Sequence, residues 1–298
     1  MLSNSAINAA GDRCRDYKES LQDRSVIRLY RAARARTLED TFSDVRRSLG
    51  DASAQLTCRV KRLDTILRKL RREASMRLVQ MDDVIGFRVI VASPRIQVEL
   101  ADSIADQLGN TRSRNYLESP RQGYRAIHLI GKEAVQLVGG GEMREYPYEV
   151  QIRTFYQHLW ASTSEAFGEQ VKEGGGMAEQ RHILDQLSSR ICEVEERSPD
   201  GAQIDSLETR NGPLIVTLHY DKTRKIIISE DYFGSAIEPA LRALEYYEDL
   251  HAQDAQREAV LIGVGTDVQD LEISHQRYYS SGGFPPLPEQ LQPALEAV

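Results

Sequence analysis

The feature that most constrains the fold is a strictly alternating segment that runs directly into a helical one. Glu149, Gln151 and Arg153 alternate with apolar residues, and an amphipathic run begins at Phe155. Because alternate side chains of a strand point to opposite faces, the pattern predicts a strand with one apolar face and one polar face. A carboxylate, an amide and a guanidinium on one face suit a phosphorylated ligand and its metal. They also suit the solvated face of an edge strand.

Composition places the chain among globular proteins that can build a proper core. Of its 298 residues, 41% are hydrophobic and 28% are charged. No apolar run approaches the roughly 18 residues of a membrane span, and residues 1–11 lack the pattern of a secretory signal. Cys14, Cys58 and Cys192 are too few and too far apart to predict a disulfide framework or a zinc site. We therefore expect a cytoplasmic protein with no membrane partner.

Positive charge is concentrated near the N-terminus. The net charge is −7, but residues 12–72 carry 17 lysines and arginines against 9 acidic residues, a local charge of +8. The chain from residue 73 onward carries −15. A confined basic region on an acidic protein favours a polyanion site, such as a nucleotide polyphosphate or an RNA end. Arginine-rich helices with solvated faces are the alternative at this stage.

Helical periodicity dominates the first part of the chain. Apolar residues recur at spacings of three and four, which predicts two helices with a break near residues 20–23 and a third helix near residues 38–49. Outside the segments discussed below, the predicted elements are a helix at 96–108, a loop at 112–122, a helix at 177–196, strands at 214–219, 225–229 and 258–264, a helix at 236–250 and a Pro-rich tail.

Glycine-rich and polar segments mark the connections. Gly139–Gly141 predicts a hairpin or flexible connection, and Gly174–Gly176 predicts the end of the helix that begins at Phe155. The polar segment 198–213 is the predicted boundary between a domain over residues 1–200 and a small α/β unit over residues 210–298.

Basic side chains gather on a predicted strand and on the helix after it. The alternating segment 56–61 predicts a strand that points Arg59 and Lys61 the same way. Asp64 is the predicted N-cap of a helix that runs from Thr65 to Arg72, with Lys69 one turn beyond Thr65. These cations are candidates for contacting phosphates.

Two carboxylates complete the pattern. Asp83 immediately precedes a buried strand that is interrupted by Gly86 and carries Arg88, and Glu149 lies near the start of the strand described first. A glycine inside a strand often marks the close approach of a ligand. Mg²⁺ prefers hard oxygen ligands and is seldom enclosed by protein alone. Two carboxylates beside a polyphosphate therefore predict a Mg²⁺ site.

Taken together, these motifs resemble the synthetase domain of the RelA/SpoT family over roughly residues 5–196. The order and most of the spacings of five separate motifs agree. The motifs are Arg59-x-Lys61 with Thr65 and Lys69, Asp83-x-x-Gly86-x-Arg88, Gly123-Tyr124-Arg-x-Ile-His128, Glu149-x-Gln151-x-Arg153-Thr154, and His158 with Trp160 and Glu165.

The resemblance implies a fold and an activity. The expected class is α+β, with a nucleotidyltransferase-like mixed β-sheet flanked by helices and a small C-terminal α/β unit. The expected reaction transfers pyrophosphate from ATP to the 3′-hydroxyl of GDP or GTP, which yields the alarmone (p)ppGpp and AMP with Mg²⁺ as cofactor.

The resemblance also assigns roles on the ATP side. Arg59 and Arg88 match the residues that sandwich adenine. The residues that bind the ATP phosphates are matched by Lys61, Lys69 and Arg72. Thr65 stands where the first motif usually has a serine. Asp83 and Glu149 match the pair that binds Mg²⁺, and Glu149 stands near the acceptor hydroxyl as its general base or orienter.

On the acceptor side, the resemblance assigns Tyr124 to stacking on the base and His128 to the phosphates. Gln151, His158 and Glu165 line the same side. The usual lysine before Gly-Tyr-Arg is replaced by Arg121 at a spacing that differs by one residue, which leaves the identity of the acceptor open. A hydrolase His-Asp pair is not found, so synthesis alone is expected.

Two alternatives stay open. Toxic members of the family pyrophosphorylate the 3′ end of tRNA, and the charge of +8 suits an RNA held through its phosphates. A non-catalytic regulatory module is disfavoured because Asp83 and Glu149 are both present. Homo-oligomerisation through the C-terminal region, or binding of an antitoxin partner, is a further expectation.

Overall fold

A computed structural model describes residues 2–137, 143–167, 178–198, 201, 212–254, 256–265, 269–280 and 287–294. The predicted connection at 139–141, the predicted helix end at 174–176 and most of the predicted linker at 198–213 lie outside these residues.

Helices and strands alternate irregularly along the chain. The first half contains α1 (Asn4–Arg15), α2 (Leu21–Ala35), α3 (Leu38–Leu49), β1 (Ala54–Val60), α4 (Leu63–Arg72), β2 (Ile85–Val91), α5 (Pro94–Leu108), β3 (Arg112–Asn115) and β4 (Ile127–Val135). The second half contains β5 (Arg144–Thr154), α6 (Phe155–Phe167), α7 (Ala178–Arg197), β6 (Leu214–Asp221), β7 (Ile226–Tyr232), α8 (Ile237–Leu250), β8 (Arg257–Val264), α9 (Gln269–Ser274) and α10 (Gln276–Tyr279). Short 3₁₀ turns lie at Leu78–Gln80, Asp82–Val84 and Glu289–Ala294.

The strands form one eight-stranded sheet in the order β3-β4-β5-β2-β1-β8-β6-β7. Strands β2 and β5 pair in parallel, and the other neighbours pair antiparallel. The predicted α+β class, with a mixed sheet flanked by helices, is confirmed. The C-terminal strands extend this same sheet, because β8 pairs with β1 through the register Thr57↔Val264 to Val60↔Leu261.

Two clusters of buried apolar side chains pack the helices around the sheet. Helices α3, α5 and α8 pack their apolar residues, including Phe42, Ile104 and Leu244, onto one side of the sheet. A second cluster joins α1, α2 and α4 around Ile27 and Ile66. The α4 helix is thereby held against the N-terminal helices by its apolar side.

Several element boundaries differ from the sequence prediction. Helix α4 begins at Leu63 with Arg62 in the N-cap position, so the predicted N-cap role of Asp64 is wrong, and Asp64 lies in the first turn. Residues 112–115, predicted as loop, form an edge strand on β4 because strand pairing satisfies their backbone groups. Part of the predicted Pro-rich tail is helical, at α9 and α10.

The two carboxylates also occupy different local structures. Asp83 lies in the 3₁₀ turn that leads into β2, whereas Glu149 lies in the middle of β5 rather than near its start. None of the described helices is both long enough and apolar enough to cross a membrane.

Candidate active site

The polar face of β5 forms one wall of the candidate site. Val150 and Ile152 are fully buried on the apolar side, and Glu149, Gln151 and Arg153 share the opposite face, as the alternation predicts. The Glu149 side chain is nevertheless buried, with a relative exposure of 6%. This face is therefore enclosed by other elements and is not the solvated face of an edge strand.

Both carboxylate oxygens of Glu149 accept hydrogen bonds. His128 Nδ1 lies 2.8 Å from Oε1, and Gln151 Nε2 donates to Oε2 over 2.8 Å. Burial by itself would raise the pKa of Glu149, but the hydrogen bond and charge of His128 outweigh burial and hold the pKa at about 2. Glu149 is consequently ionised at neutral pH.

A chain of hydrogen bonds supports this carboxylate from behind. Because a carboxylate can only accept, His128 Nδ1 carries the hydrogen, and Nε2 lies 2.6 Å from the Tyr124 hydroxyl. Arg153 Nη2 in turn donates to Tyr124 Oη over 2.8 Å and to Gln151 Oε1 over 2.7 Å. We refer to Tyr124, His128, Glu149, Gln151 and Arg153 as the acceptor-side network.

Arg153 is a candidate site residue to which the sequence analysis assigned no specific role. Its side chain is buried, and its Nε and Nη1 atoms have no hydrogen-bond partner among the described residues. Its guanidinium lies 5.1 Å from the centre of the Tyr124 ring. A buried cation with two unused donors that faces a cleft is suited to an anionic ligand. Its position on the same strand face as Glu149 was the signal available in the sequence.

Two lysine ammonium groups hold the Asp83 carboxylate in place. Lys61 Nζ lies 2.6 Å from one carboxylate oxygen, and Lys69 Nζ lies 2.7 Å from the other. Burial would raise the pKa of Asp83, but the two ammonium groups outweigh burial and keep it far below its ordinary value. Burial lowers the pKa of Lys61 to about 8 despite the neighbouring carboxylate. We refer to Lys61, Lys69 and Asp83 as the phosphate-side cluster.

The two carboxylates fit a Mg²⁺ ion that is shared with a nucleotide. Asp83 and Glu149 both line a narrow cavity beside Gly86. Each oxygen uses one lone pair for the contacts above and keeps another for a metal. The described residues contain no group of three or more His, Cys, Asp or Glu side chains that could hold a metal ion. Further oxygens would therefore come from phosphate or water, as is usual for Mg²⁺.

Arg59 and Arg88 flank a space that the C-terminal region closes. Together with His275 they line the narrow cavity, whose volume of about 10 Å³ holds about one water molecule. Arg88 Nη1 donates to the backbone carbonyl of Ser274 over 2.9 Å. Burial, with repulsion from Arg153, lowers the pKa of Arg88 to about 9. His275 therefore shares a narrow cavity with the two arginines that the resemblance assigns to adenine.

A larger cleft brings the two sets of predicted residues together. Its volume is about 950 Å³, which is at the upper end of the range for small-molecule sites. It is lined on the ATP side by Arg59, Arg72 and Arg88 and on the acceptor side by Arg121, Tyr124, His128, Gln151 and Glu165. The remaining wall includes Tyr116, Arg153 and Trp160.

A neighbouring cleft of about 470 Å³ holds the remaining phosphate-side residues. It is lined by Lys61, Thr65, Lys69 and Asp83, and it shares Arg59, Arg72 and Glu165 with the larger cleft. The C-terminal region contributes Arg277 and Tyr278 to it. Arg277, Tyr278 and His275 carried no signal in the sequence, because they are distant along the chain and outside every motif.

His158 is the predicted site residue that the structure keeps away from both clefts. Its ring is 1% exposed, and its Nε2 lies 3.2 Å from the carbonyl oxygen of Ile273. Burial, with repulsion from Arg88, keeps the pKa of His158 well below its usual value, so the ring is neutral. In this arrangement His158 packs beneath the C-terminal segment.

A comparison with protein families gives one match. The model described as the region found in RelA/SpoT proteins matches residues 58–170, which include every predicted site residue. The resemblance to a RelA/SpoT synthetase domain is thereby confirmed for this part of the chain.

Curated relatives and solved structures give weaker likenesses. An uncharacterized protein of Mycobacterium tuberculosis (strain H37Rv) is 29% identical over 180 residues, 58% of this chain and 61% of its own length. The crystal structure of small alarmone synthetase 1 from Bacillus subtilis is 22% identical, with a TM-score of 0.48, and the match covers 60% of this chain and 94% of that one. The same enzyme bound to its product pppGpp matches with a TM-score of 0.42 and 22% identity over 49% of this chain and 75% of its own.

Proposed function

We propose, from the RelA/SpoT region at residues 58–170, that this protein is a pyrophosphokinase that transfers pyrophosphate from ATP to the 3′-hydroxyl of GDP or GTP. The observation that carries the proposal is the cleft of about 950 Å³, which is lined by cations of the ATP set and by all members of the acceptor-side network except Glu149. Glu149 and the half-buried Asp83 line the narrow cavity next to it, where the charge of Asp83 acts on Glu149.

On the ATP side, the phosphates bind among cations that Asp83 already organises. Lys61 and Lys69 approach Asp83 from two segments, so their ammonium groups converge on one place. A polyphosphate can share these lysines with Asp83, and Arg72 stands on the same helix as Lys69. Phosphoryl-type transfer asks mainly for positioning and for neutralisation of developing charge.

On the acceptor side, Glu149 receives the hydrogen bond of the 3′-hydroxyl as its general base or orienter. The hydroxyl oxygen attacks the β-phosphorus, and the bond from that phosphorus to the oxygen bridging to the α-phosphorus breaks. The departing AMP keeps the bridging oxygen and its electron pair, and the hydroxyl proton leaves through Glu149. His128 and Tyr124 keep the carboxylate fixed, while Tyr124 presents its ring to the acceptor base and Arg153 faces the acceptor phosphates.

Asp83 and Glu149 would hold Mg²⁺ together with the phosphates of ATP, and the bound ion would stabilise negative charge on the phosphate oxygens. The residues of the chain position the two nucleotides around it.

The test is transfer of label from ATP that carries ³²P in its γ-phosphate. The full chain is incubated with Mg²⁺ and GDP or GTP, with Glu149→Gln and excess EDTA as controls. We expect label in the guanine nucleotide, one AMP formed for each labelled product, and none of this product in either control. Label that appears only in inorganic phosphate would contradict the proposal.

A tRNA acceptor is the second candidate, and one observation favours it. A third cleft of about 480 Å³ is lined by Arg24, Arg28, Arg68 and Arg71, and it continues into the phosphate-side cleft through the shared Arg62. Five acidic side chains line the same cleft, but the seven basic ones exceed them, and a surplus of positive charge suits the backbone of a nucleic acid. The same assay with tRNA in place of GDP or GTP decides between the acceptors. Label recovered in RNA, and not in free nucleotide, would transfer the proposal to tRNA.

A further inference from the structure

Helix α4 begins without a cap of its own. Arg62 occupies the N-cap position, and its side chain makes no capping hydrogen bond. The first backbone N–H groups of a helix lack partners within the helix, so a helix that begins without a cap frays more readily. This matters for the site because α4 carries Lys69 and Arg72 near its other end.

The missing cap comes from the C-terminal region of the chain. Glu248, on α8, accepts a hydrogen bond from the backbone N–H of Leu63, the first residue of α4, over 2.9 Å. Its side chain is 10% exposed. A carboxylate at this position also complements the positive end of the helix dipole. Leu63 and Glu248 are 185 positions apart in the sequence, so no local motif predicts the contact.

A buried arginine holds Glu248 in this position. The Arg31 guanidinium donates to the two carboxylate oxygens over 2.6 and 2.8 Å, and its side chain has 0% exposure. Arg31 Nη1 also lies 3.5 Å from the carbonyl oxygen of Lys61. The two-pronged pair fixes the carboxylate more firmly than a single hydrogen bond would. Glu248 and Arg31 therefore bracket the short link from β1 to α4.

The opposite end of α4 reaches the reacting groups. Lys69 Nζ donates to Asp83 over 2.7 Å, about 1.7 turns beyond the capped residue. An α-helix transmits a change at its first turn along its length, because its backbone is rigid once formed. The direction of α4 thus decides where the Lys69 ammonium lies relative to the phosphates.

We propose that Glu248 is a positioning residue for the ATP site: it caps α4 from the C-terminal region and so aligns Lys69 with the phosphates. The proposal rests on the proposed function in one respect, namely that Lys69 binds ATP. It gives α8 a part in substrate binding without any contact between Glu248 and the nucleotide.

The neighbouring residue offers a matched control. Asp249 also pairs with an arginine of α2, through a bond of 3.0 Å from Arg28, and among the described hydrogen bonds it has none to α4. Asp249→Asn therefore weakens the contact between α2 and α8 while leaving the cap intact. Glu248→Gln keeps the size of the side chain and one oxygen but removes the charge, and Glu248→Ala removes the cap altogether.

The experiment compares these three variants of the full chain. We expect the KM for ATP to rise about 3- to 10-fold in Glu248→Gln and about 10- to 50-fold in Glu248→Ala, as loss of a charge-assisted hydrogen bond predicts. The KM of the acceptor should stay within about twofold of the parent, and Asp249→Asn should change neither KM by more than about twofold. Equal losses for ATP and acceptor, or equal effects of the substitutions at 248 and 249, would overturn the proposal.

A second measurement keeps the test independent of catalysis. Backbone hydrogen exchange, followed by mass spectrometry, should accelerate in the first turn of α4 in both Glu248 variants and stay at the parent rate in Asp249→Asn. If the parent transfers no pyrophosphate, the proposed function fails, and calorimetric titration with ATP together with the exchange rates still decides the role of Glu248. Unchanged exchange in Glu248→Ala would refute the capping role.

Discussion

The two halves of the candidate site hold their carboxylates in opposite ways. On the phosphate side, Asp83 is held between two ammonium groups at 2.6 and 2.7 Å. On the acceptor side, Glu149 is held by an imidazole and an amide, each at 2.8 Å. Both carboxylates are ionised, but the first relies on charges that a polyphosphate can share. The second relies on a fixed chain of hydrogen bonds that a substrate need not disturb.

The two halves therefore suit different tasks: the phosphate-side cluster neutralises phosphate charge, and the acceptor-side network orients the acceptor. Mobile lysine ammoniums act as point charges and tolerate rearrangement, so the phosphate-side cluster can adapt to a bound nucleotide. The acceptor-side network links Arg153, Tyr124, His128 and Glu149 through successive hydrogen bonds. Such a network rigidifies a site when each member is satisfied.

The largest effect is expected from removing either carboxylate charge. Asp83→Asn and Glu149→Gln should each lower the rate of transfer at least about 100-fold, since both lose a metal ligand and Glu149 also orients the hydroxyl. Initial rates with labelled ATP measure this. Either variant retaining more than about a tenth of the parent rate would remove its residue from the proposed metal pair.

The stability of these two variants should differ although their activities do not. Asp83→Asn leaves two ammonium groups close together, so we expect the free energy of unfolding to fall by about 1–3 kcal/mol. Glu149→Gln keeps an oxygen for His128 and should cost less than about 1 kcal/mol. Urea unfolding of the two variants gives both values. A reversed order would mean that the charged and hydrogen-bonded halves have been assigned wrongly.

Tyr124 tests the acceptor side alone. Tyr124→Ala should weaken use of the acceptor about 10- to 100-fold, because base–aromatic stacking is worth about 1–3 kcal/mol. Tyr124→Phe keeps the ring but removes the hydroxyl that joins His128 and Arg153, so an intermediate loss of about fivefold is expected. Calorimetric titration with ATP should give nearly parental affinity for both variants. An equal loss for ATP would show that the residue supports the fold.

Lys69 provides the mirror experiment on the phosphate side. Lys69→Met keeps the length of the side chain without its charge, and we expect the affinity for ATP to fall about 10-fold while the KM of the acceptor stays unchanged. Raising the salt concentration should reduce the difference between parent and variant, because salt screens the lost attraction. If the KM of the acceptor rises as much as the KM of ATP in this variant, the division of the site into two halves is contradicted.

The smallest effect is expected at the closed gap between Arg59 and Arg88. His275→Ala removes a ring that lines the narrow cavity and so enlarges the space in which the resemblance places adenine. We expect the affinity for ATP to rise by about 3- to 10-fold, the gain that follows when a binding-competent state becomes more populated. Calorimetric titration checks this. Weaker binding in His275→Ala would instead make the imidazole a contributor to the base site.

Much of the site could be predicted from the sequence because its residues lie in short motifs. The alternation from Glu149 to Arg153 predicted one polar face, and the structure has that face. The same pattern could not reveal that the face is buried, since burial depends on what packs over it. His158 shows what packing adds, because the resemblance assigns it to the acceptor side and the structure packs its ring beneath the C-terminal segment.

The sequence by itself determined the local elements: the order of helices and strands, the apolar faces that pack them and the two carboxylates that precede or lie within strands. These follow from periodicity over a few residues, because each side chain has its own preference for the inside or the outside of an element. Only the tertiary structure decided how distant segments meet. It joined the C-terminal strands to β1, brought Glu248 to the first turn of α4 and placed His275 in the cavity that Arg59 and Arg88 line. Such contacts arise from the packing of whole elements, and their energy is shared among residues that no short pattern connects.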